Sequence, residues 1–179
     1  MKQYYITDRK AVGGLRPLFD VIERQMRLGV DFIQIREKDL GAREVYEFTL
    51  AVVEARGPRS QTKILVNSRA DIAKAAGADG VHLPSAAPHE TLPGLIVGRS
   101  CHTIEEVQSV EADLITFGPV FVTPNKGPAV GLETLAKACQ AAKLKLVFAL
   151  GGITWENAPS CISAGAAGIA GIRLFQQLQ

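Results

Sequence analysis

Three cysteines in 179 residues leave no material for a disulfide framework. Cys101, Cys139 and Cys161 are odd in number and widely spaced, with no metal-ligand or redox pair among them, so a reduced, cytoplasmic setting is expected. No apolar run approaches membrane-spanning length. The N-terminal stretch MKQYYITDRK has no apolar h-region, so no signal peptide is expected. Charge of one sign is scarce as well. Twenty Lys and Arg against 18 Asp and Glu leave a net charge of +2, which gives no basic footprint for nucleic acid. No Walker loop, GxSxG or GxGxxG occurs. No two carboxylates sit together at strand ends, and Asp8 and Asp39 lack evident partners, so no metal site is expected.

The chain does contain the material for a core. It is 47% apolar and 21% charged, which fits one globular domain over residues 1–179. Strand signals recur at Tyr4–Thr7, Phe32–Arg36, Lys63–Asn67, Gly80–Leu83, Ile96–Cys101, Leu114–Phe117, Leu146–Leu150 and Gly168–Ile172. Helical signals lie between most of them: Pro17 to about Leu28, Glu44–Val53, Ala70–Ala76, a helix opened by Thr103, Leu132–Ala142 and Asn157–Ala164, with a stub at Leu174–Gln179. Arg9–Gly14 reads as loop. LVFAL and GIAGI are apolar without strict alternation, as parallel strands buried on both faces should be. Eight strand–helix units with right-handed crossovers imply a closed TIM (β/α)8 barrel. A full barrel typically takes ~250 residues, so this one must be compact. An open doubly wound sheet is the alternative.

Polar residues collect where the strands end, which is where such barrels place ligands. Gln34, Arg36 and Lys38 follow one another at the end of the second strand, and Arg and Lys both suit phosphate. The competing reading pairs Arg36 and Lys38 with Glu37 and Asp39 as a solvated rim. Asn67 and Ser68 end the third strand, and Ser100 lies near the end of the fifth. Gly151-Gly152-Ile153, after the seventh strand, can offer bare backbone N–H groups to a phosphate, with Arg173 beyond the eighth. Thr123, Asn125 and Lys126 lie on a Gly- and Pro-containing loop that fits a lid. His102 can move protons near neutral pH if it faces the mouth, and is otherwise a hydrogen-bonded structural residue. His82, inside a strand, reads as a core or hydrogen-bonding residue, and His89 as a surface-loop residue.

These residues lie in segments that resemble the thiamine phosphate synthase and thiazole tautomerase superfamily: YYITD, IQIREK, LVNSRADIAKAAGADGVHL, VGRSCHTIEE, FGPVFVTPNKG, LVFALGGI and GAAGIAGI, in that order along the chain. The resemblance implies a TIM barrel acting on a phosphorylated thiazole. The synthase branch joins a pyrimidine methyl diphosphate to the thiazole phosphate and releases pyrophosphate. It implies an anion site at Gln34, Arg36, Lys38, Asn67, Thr123 and Lys126, a further active-site serine at Ser100 and a thiazole-phosphate contact at Gly152. The chain departs from that pattern at the expected Mg²⁺ carboxylates. Ser68 stands within Asn67-Ser68-Arg69 where the family has Asn-Asp-Arg, and Pro84-Ser85-Ala86-Ala87 replaces a Gly-Gln-x-Asp run. Asn125 stands where the synthase usually has Thr, and Arg173 where it has a small polar residue.

The tautomerase branch resembles the chain at those departures, with a Leu-Pro-Ser turn like Leu83–Ser85 and Gly-Arg-Ser-x-His like Gly98–His102. The expectation is therefore a metal-independent thiazole tautomerase, an isomerase in which His102 shuttles the proton beside Ser100 and no cofactor is needed. The alternatives are the synthase, a transferase that would use Mg²⁺ and whose turnover would be weak without the carboxylates, and a non-catalytic binder of thiazole or thiamine phosphate. A homodimer is compatible with the sequence but not read from it.

Overall fold

A computed structural model describes residues 1–88, 91–124 and 126–177. The expected His89 loop position, the Asn125 contact and the last two residues of the terminal stub lie outside the described residues. Eight parallel strands close on themselves in chain order: β1 (Lys2–Ile6), β2 (Phe32–Ile35), β3 (Lys63–Asn67), β4 (Gly80–Leu83), β5 (Ile96–Cys101), β6 (Leu114–Phe117), β7 (Leu146–Leu150) and β8 (Gly168–Gly171), with β8 paired back onto β1. The expected TIM barrel is the observed fold, and the open sheet is excluded by the β1–β8 pairing.

The helices are α1 (Arg9–Val12), α2 (Leu15–Arg27), α3 (Ala42–Ala55), α4 (Ala70–Ala75), α5 (Ile104–Ser109), α6 (Gly131–Ala141), α7 (Ala158–Ser163) and α8 (Arg173–Gln176). The segment expected to be loop at Arg9–Gly14 is helical at Arg9–Val12. Asp8 starts it, its carboxylate accepting the Lys10 and Ala11 N–H groups, which satisfies donors that a helix start leaves orphaned. No helix follows β4 among the described residues. There the outward-facing Arg99 of β5, 1% exposed, donates to the carbonyls of Ala87 and Pro88, each at 2.7 Å, and holds the connection against the barrel wall.

Alternation along the strands divides the core in two. Outward-facing Tyr5, Ile33, Ile35, Ile64 and Val66 pack under the helices of the first half, and Ile115, Phe117, Val147 and Ala149 under those of the second. The inward-facing Tyr4, Phe32, Leu65, Leu114, Phe148 and Ala170 fill the barrel. Tyr4, Phe32 and Phe148 meet edge-to-face with ring centroids 5.4–5.7 Å apart, a favoured aromatic geometry. This apolar plug closes the barrel. The next inward positions toward the strand C-termini are polar on β2 to β6, at Gln34, Asn67, His82, Ser100 and Thr116. They are apolar on β1 and β7, at Ile6 and Leu150, and just past β8, at Ile172, so the floor of the mouth is polar on one side.

Candidate active site

The mouth is built on two polar systems. The first lies at the ends of β1 and β2. Glu37 is turned away from the barrel axis toward the loop after β1, where its carboxylate accepts the Thr7 hydroxyl at 2.6 Å and the Arg9 backbone N–H at 3.1 and 3.2 Å. The Arg9 guanidinium stands 3.5 Å from Glu37 and donates to Asp39 at 2.6 and 3.1 Å, and Lys10 pairs with Asp39 at 2.7 Å. The solvated-rim reading of Arg36 and Lys38 is thereby corrected, because Glu37 and Asp39 are taken by Arg9 and Lys10.

Arg36, Lys38 and Lys126 form no ion pair among the described residues. They are nonetheless close enough to repel. The Lys38 ammonium is held below its usual pKa first by the Arg36 cation, then by desolvation and by Lys126. Together the three cations make a cluster of positive charge at the barrel mouth, with the nearby Glu37 and Asp39 already engaged by Arg9 and Lys10. Two shallow cavities of about 250 and 370 Å³ open beside Arg36 and Lys38; Lys38 and Glu37 line both, Arg36 with Asp8 and Asp39 the first, and Asn67 with Ser68 the second. Gln34, 2% exposed, donates from its amide to Asn67 at 3.0 Å and joins β2 to β3 beneath the cations.

The second system is on the floor. The Tyr4 hydroxyl lies 2.9 Å from Nδ1 of His82, and Nε2 of His82 lies 3.0 Å from the Ser100 hydroxyl. Thr116 reaches Ser100 at 3.4 Å. His82 is 3% exposed, and burial with the nearby Arg36 cation lowers its pKa to about 3. Gly98 makes room for the ring, since a Cβ there would stand 2.6 Å from His82 Nδ1. The expectation of a hydrogen-bonding core histidine at His82 agrees with this geometry. Its tie to Ser100 was not anticipated, although His82 and Ser100 occupy inward positions two strand residues beyond Gly80 and Gly98.

His102 is not part of this floor. β5 ends at Cys101, and Thr103 with Glu106 forms a capping box for α5. Glu106 also accepts the His102 backbone N–H. The exposed imidazole places Nδ1 2.9 Å from the Gly118 carbonyl, an acceptor that requires the proton on Nδ1. The expected pairing of His102 with Ser100 assumed that the strand continued, and the capping box ends it. We expect His102→Asn to leave catalysis within about twofold and to cost about 0.5–1.5 kcal/mol in stability, the worth of one hydrogen bond. Urea unfolding alongside steady-state rates checks this, and a hundredfold loss of turnover would contradict it.

Gly151 and Gly152 follow β7 with φ of 96° and 65°, a left-handed region that suits glycine. Both are also tight against the β6–α6 connection. A Cβ on Gly151 would meet Pro119 at 2.6 Å, and one on Gly152 would meet Phe121 at 2.7 Å and the Val122 carbonyl at 2.8 Å. A side chain at Gly152 would therefore disturb the protein itself as well as any ligand. Thr123, whose hydroxyl donates to the Phe121 carbonyl at 3.0 Å, lies over Gly151, so the two loops meet. Arg173 is exposed at the start of α8 and makes no side-chain hydrogen bond or ion pair among the described residues.

A carboxylate-held Mg²⁺ does not fit these residues. No group of three His, Cys, Asp or Glu side chains converges among the described residues. Asp8 caps α1, while Glu37 and Asp39 are engaged by Thr7, Arg9 and Lys10. Ser68 sits at φ 59°, a conformation for which Asp and Asn are enriched among non-glycine residues.

A family model described as "Thiamine monophosphate synthase" matches residues 3–175. The chain belongs to that family. A protein of Aquifex aeolicus whose name includes thiamine-phosphate synthase is 41% identical over 182 residues, covering 96% of both chains. The "Thiamine-phosphate synthase" of Roseiflexus castenholzii is 38% identical over 182 residues, covering 93% of this chain and 77% of its own. The solved structure of "Thiamine phosphate pyrophosphorylase from Pyrococcus furiosus" superposes with a TM-score of 0.84 at 34% identity, over 96% of this chain and 85% of that one. A deoxyribose-phosphate aldolase structure at 14% identity, TM-score 0.70, shares the fold alone.

These relatives overturn the isomerase reading. The expectation of a tautomerase rested on the Leu83–Ser85 turn and on the Gly98–His102 run. The full-length similarities carry the synthase name instead, and the structure takes His102 out of the floor. No helix among the described residues is long and apolar enough to cross a membrane.

Proposed function

We propose that this protein is a thiamine-phosphate synthase, coupling a pyrimidine methyl diphosphate to a thiazole phosphate with release of pyrophosphate. The observation that carries this reading is the convergence of Arg36, Lys38 and Lys126 without carboxylate partners. In the reaction the methylene C–O bond breaks and its electron pair leaves on the diphosphate. The thiazole nitrogen lone pair then forms the new C–N bond, giving a positively charged ring. No proton has to move in that bond exchange, so neither an exposed His102 nor a buried, neutral His82 has a base's task to perform.

What the reaction does need is stabilisation of charge developing on the leaving group, which preorganised cations and donors supply at low reorganisation cost. Arg36 and Lys38 project from the end of β2, and Lys126 from the β6–α6 loop, which can bring its cation over a bound diphosphate. Gln34 and Asn67 line the floor beneath. The backbone N–H groups of Gly151 and Gly152 would hold the thiazole phosphate, with Arg173 as a further cation on the β8 side. The site asks for two phosphorylated small molecules. The test is turnover of the purified protein on the two substrates, with thiamine phosphate as the readout and inorganic pyrophosphate as competitor. No product under any metal condition would overturn the proposal.

The missing carboxylates bear on the metal requirement rather than on the identity of the reaction. Mg²⁺ would ordinarily be held by carboxylates together with substrate phosphates. Restoring acid groups as Ser68→Asp with Ala87→Asp should increase the stimulation of the rate by Mg²⁺ at least severalfold over wild type, because Asp tolerates the backbone of residue 68. Rates in EDTA and in millimolar Mg²⁺ measure it. Equal stimulation in both proteins would show that these positions do not control the metal.

A further inference from the structure

We propose that Tyr4 and His82 are positioning residues that hold Ser100 as a hydrogen-bond donor into the barrel mouth. The argument is an accounting of protons. The Tyr4 side chain is fully buried in the aromatic plug, and its hydroxyl has His82 Nδ1 as its hydrogen-bond partner, at 2.9 Å. A buried hydroxyl left without an acceptor is costly. If Nδ1 carried the proton, the Tyr4 O–H would lose that acceptor, so Nδ1 accepts. The ring has one proton left to carry, and it sits on Nε2. That N–H points at Ser100 Oγ, 3.0 Å away.

Thr116, 2% exposed, finds its acceptor in the same oxygen at 3.4 Å. Ser100 Oγ therefore accepts from within the barrel, from β4 and β6, and its own O–H is left for whatever occupies the mouth. Ser100 is the half-exposed member of the set, while Tyr4, His82 and Thr116 are buried. The low pKa of His82 and the raised pKa of Tyr4 agree with this single arrangement of protons across the neutral range.

The arrangement also excludes a Ser–His nucleophile. An activated serine needs an imidazole nitrogen with a free lone pair facing Oγ, and here that nitrogen donates. Ser100 instead serves as a fixed donor to an electron-rich atom of the substrate, which in the coupling reaction is available on either phosphorylated partner. This role in turnover rests on the proposed synthase activity. The proton arrangement does not.

Two measurements test the inference. In ligand-free protein labelled with ¹⁵N at histidine, the His82 shifts should report a protonated Nε2 and a bare Nδ1, unchanged from about pH 5 to pH 8. A proton on Nδ1, or titration within that range, would overturn the proposal whether or not the protein couples the substrates. The second is a double-mutant cycle on kcat/KM. Ser100→Ala and Tyr4→Phe should each lower it, Tyr4→Phe by about 10–100-fold, the size seen when a hydrogen-bond partner that orients a metal-ligating side chain is removed. Tyr4→Phe should add little once Ser100 is Ala. Effects that simply multiply would make Tyr4 a packing residue and overturn the positioning role.

Discussion

Arg36→Met is expected to lower kcat/KM for coupling by about 10²–10³ while the protein remains folded. The magnitude is that of removing one preorganised group from developing negative charge. The expected separation of activity from stability follows from local geometry. The Arg36 backbone N–H donates to the Thr7 hydroxyl at 2.8 Å, and that hydroxyl is itself held by Glu37. The strand end is thus anchored without the guanidinium, which has no carboxylate partner among the described residues. Arg36→Lys should recover only part of the loss, because an ammonium lacks the planar fork that grips a phosphate through two bonds. Arg36 is also the largest cause of the lowered Lys38 pKa, so the Lys38 ammonium should titrate higher in Arg36→Met. Steady-state kinetics with an unfolding curve check the first part, and NMR titration of the lysines checks the second. A rate within threefold of wild type would place the anion site elsewhere.

The second large effect is on acid stability. His82 is protonated near pH 6.5 in an unfolded chain and only at about pH 3 in the folded one. Between those values the unfolded state binds a proton that the folded state refuses, so stability falls as the pH drops through that window. The full shift corresponds to a loss on the order of 5 kcal/mol. The groups facing the ring are Tyr4 from β1, Ser100 from β5 and Thr116 from β6, with Arg36 from the end of β2 adding positive charge. None of them offers a negative charge to offset protonation. Carboxylates with lowered pKa values, such as Asp71 at about 2, also withdraw stability on acidification, but below the ordinary carboxylate range. Urea denaturation of wild type and His82→Gln at pH 7, 5.5 and 4.5 isolates the imidazole. The pH dependence in this range should be much weaker in the variant. Parallel curves would mean that His82 is not the group that titrates.

The barrel was legible because its strands state their environment in composition. LVFAL and GIAGI are apolar on both faces, and each strand runs into polar residues on the side where the mouth lies. Arg36 and Lys38 were legible as cations at a strand end for the same reason. What the sequence did not disclose were pairings across the chain. Glu37 meets Thr7 and Arg9 at separations of 30 and 28 residues, and no local pattern announces that β1 and β2 end side by side until the barrel is closed. His82 and Ser100 are 18 residues apart and meet only because β4 and β5 are neighbours in register, with His82 opposite Gly98. His102 shows the opposite error. Period-two alternation carried it inward from Ser100, while the local signal three residues on, Thr103 with Glu106, had already ended the strand. Arg9–Val12 was missed because one turn of helix needs only a cap, and Asp8 supplies it.

The central claim is a synthase whose cations at the barrel mouth carry the departing diphosphate. Its most direct test is a single reaction vessel holding the purified protein, the pyrimidine methyl diphosphate and the thiazole phosphate. Both products are counted over time, thiamine phosphate by mass spectrometry and pyrophosphate by an enzymatic assay. The account predicts that the two rise together, one pyrophosphate for each thiamine phosphate, and that Arg36→Met suppresses both equally. Pyrophosphate released without thiamine phosphate, or neither product from a protein that is folded and binds pyrophosphate, would contradict it.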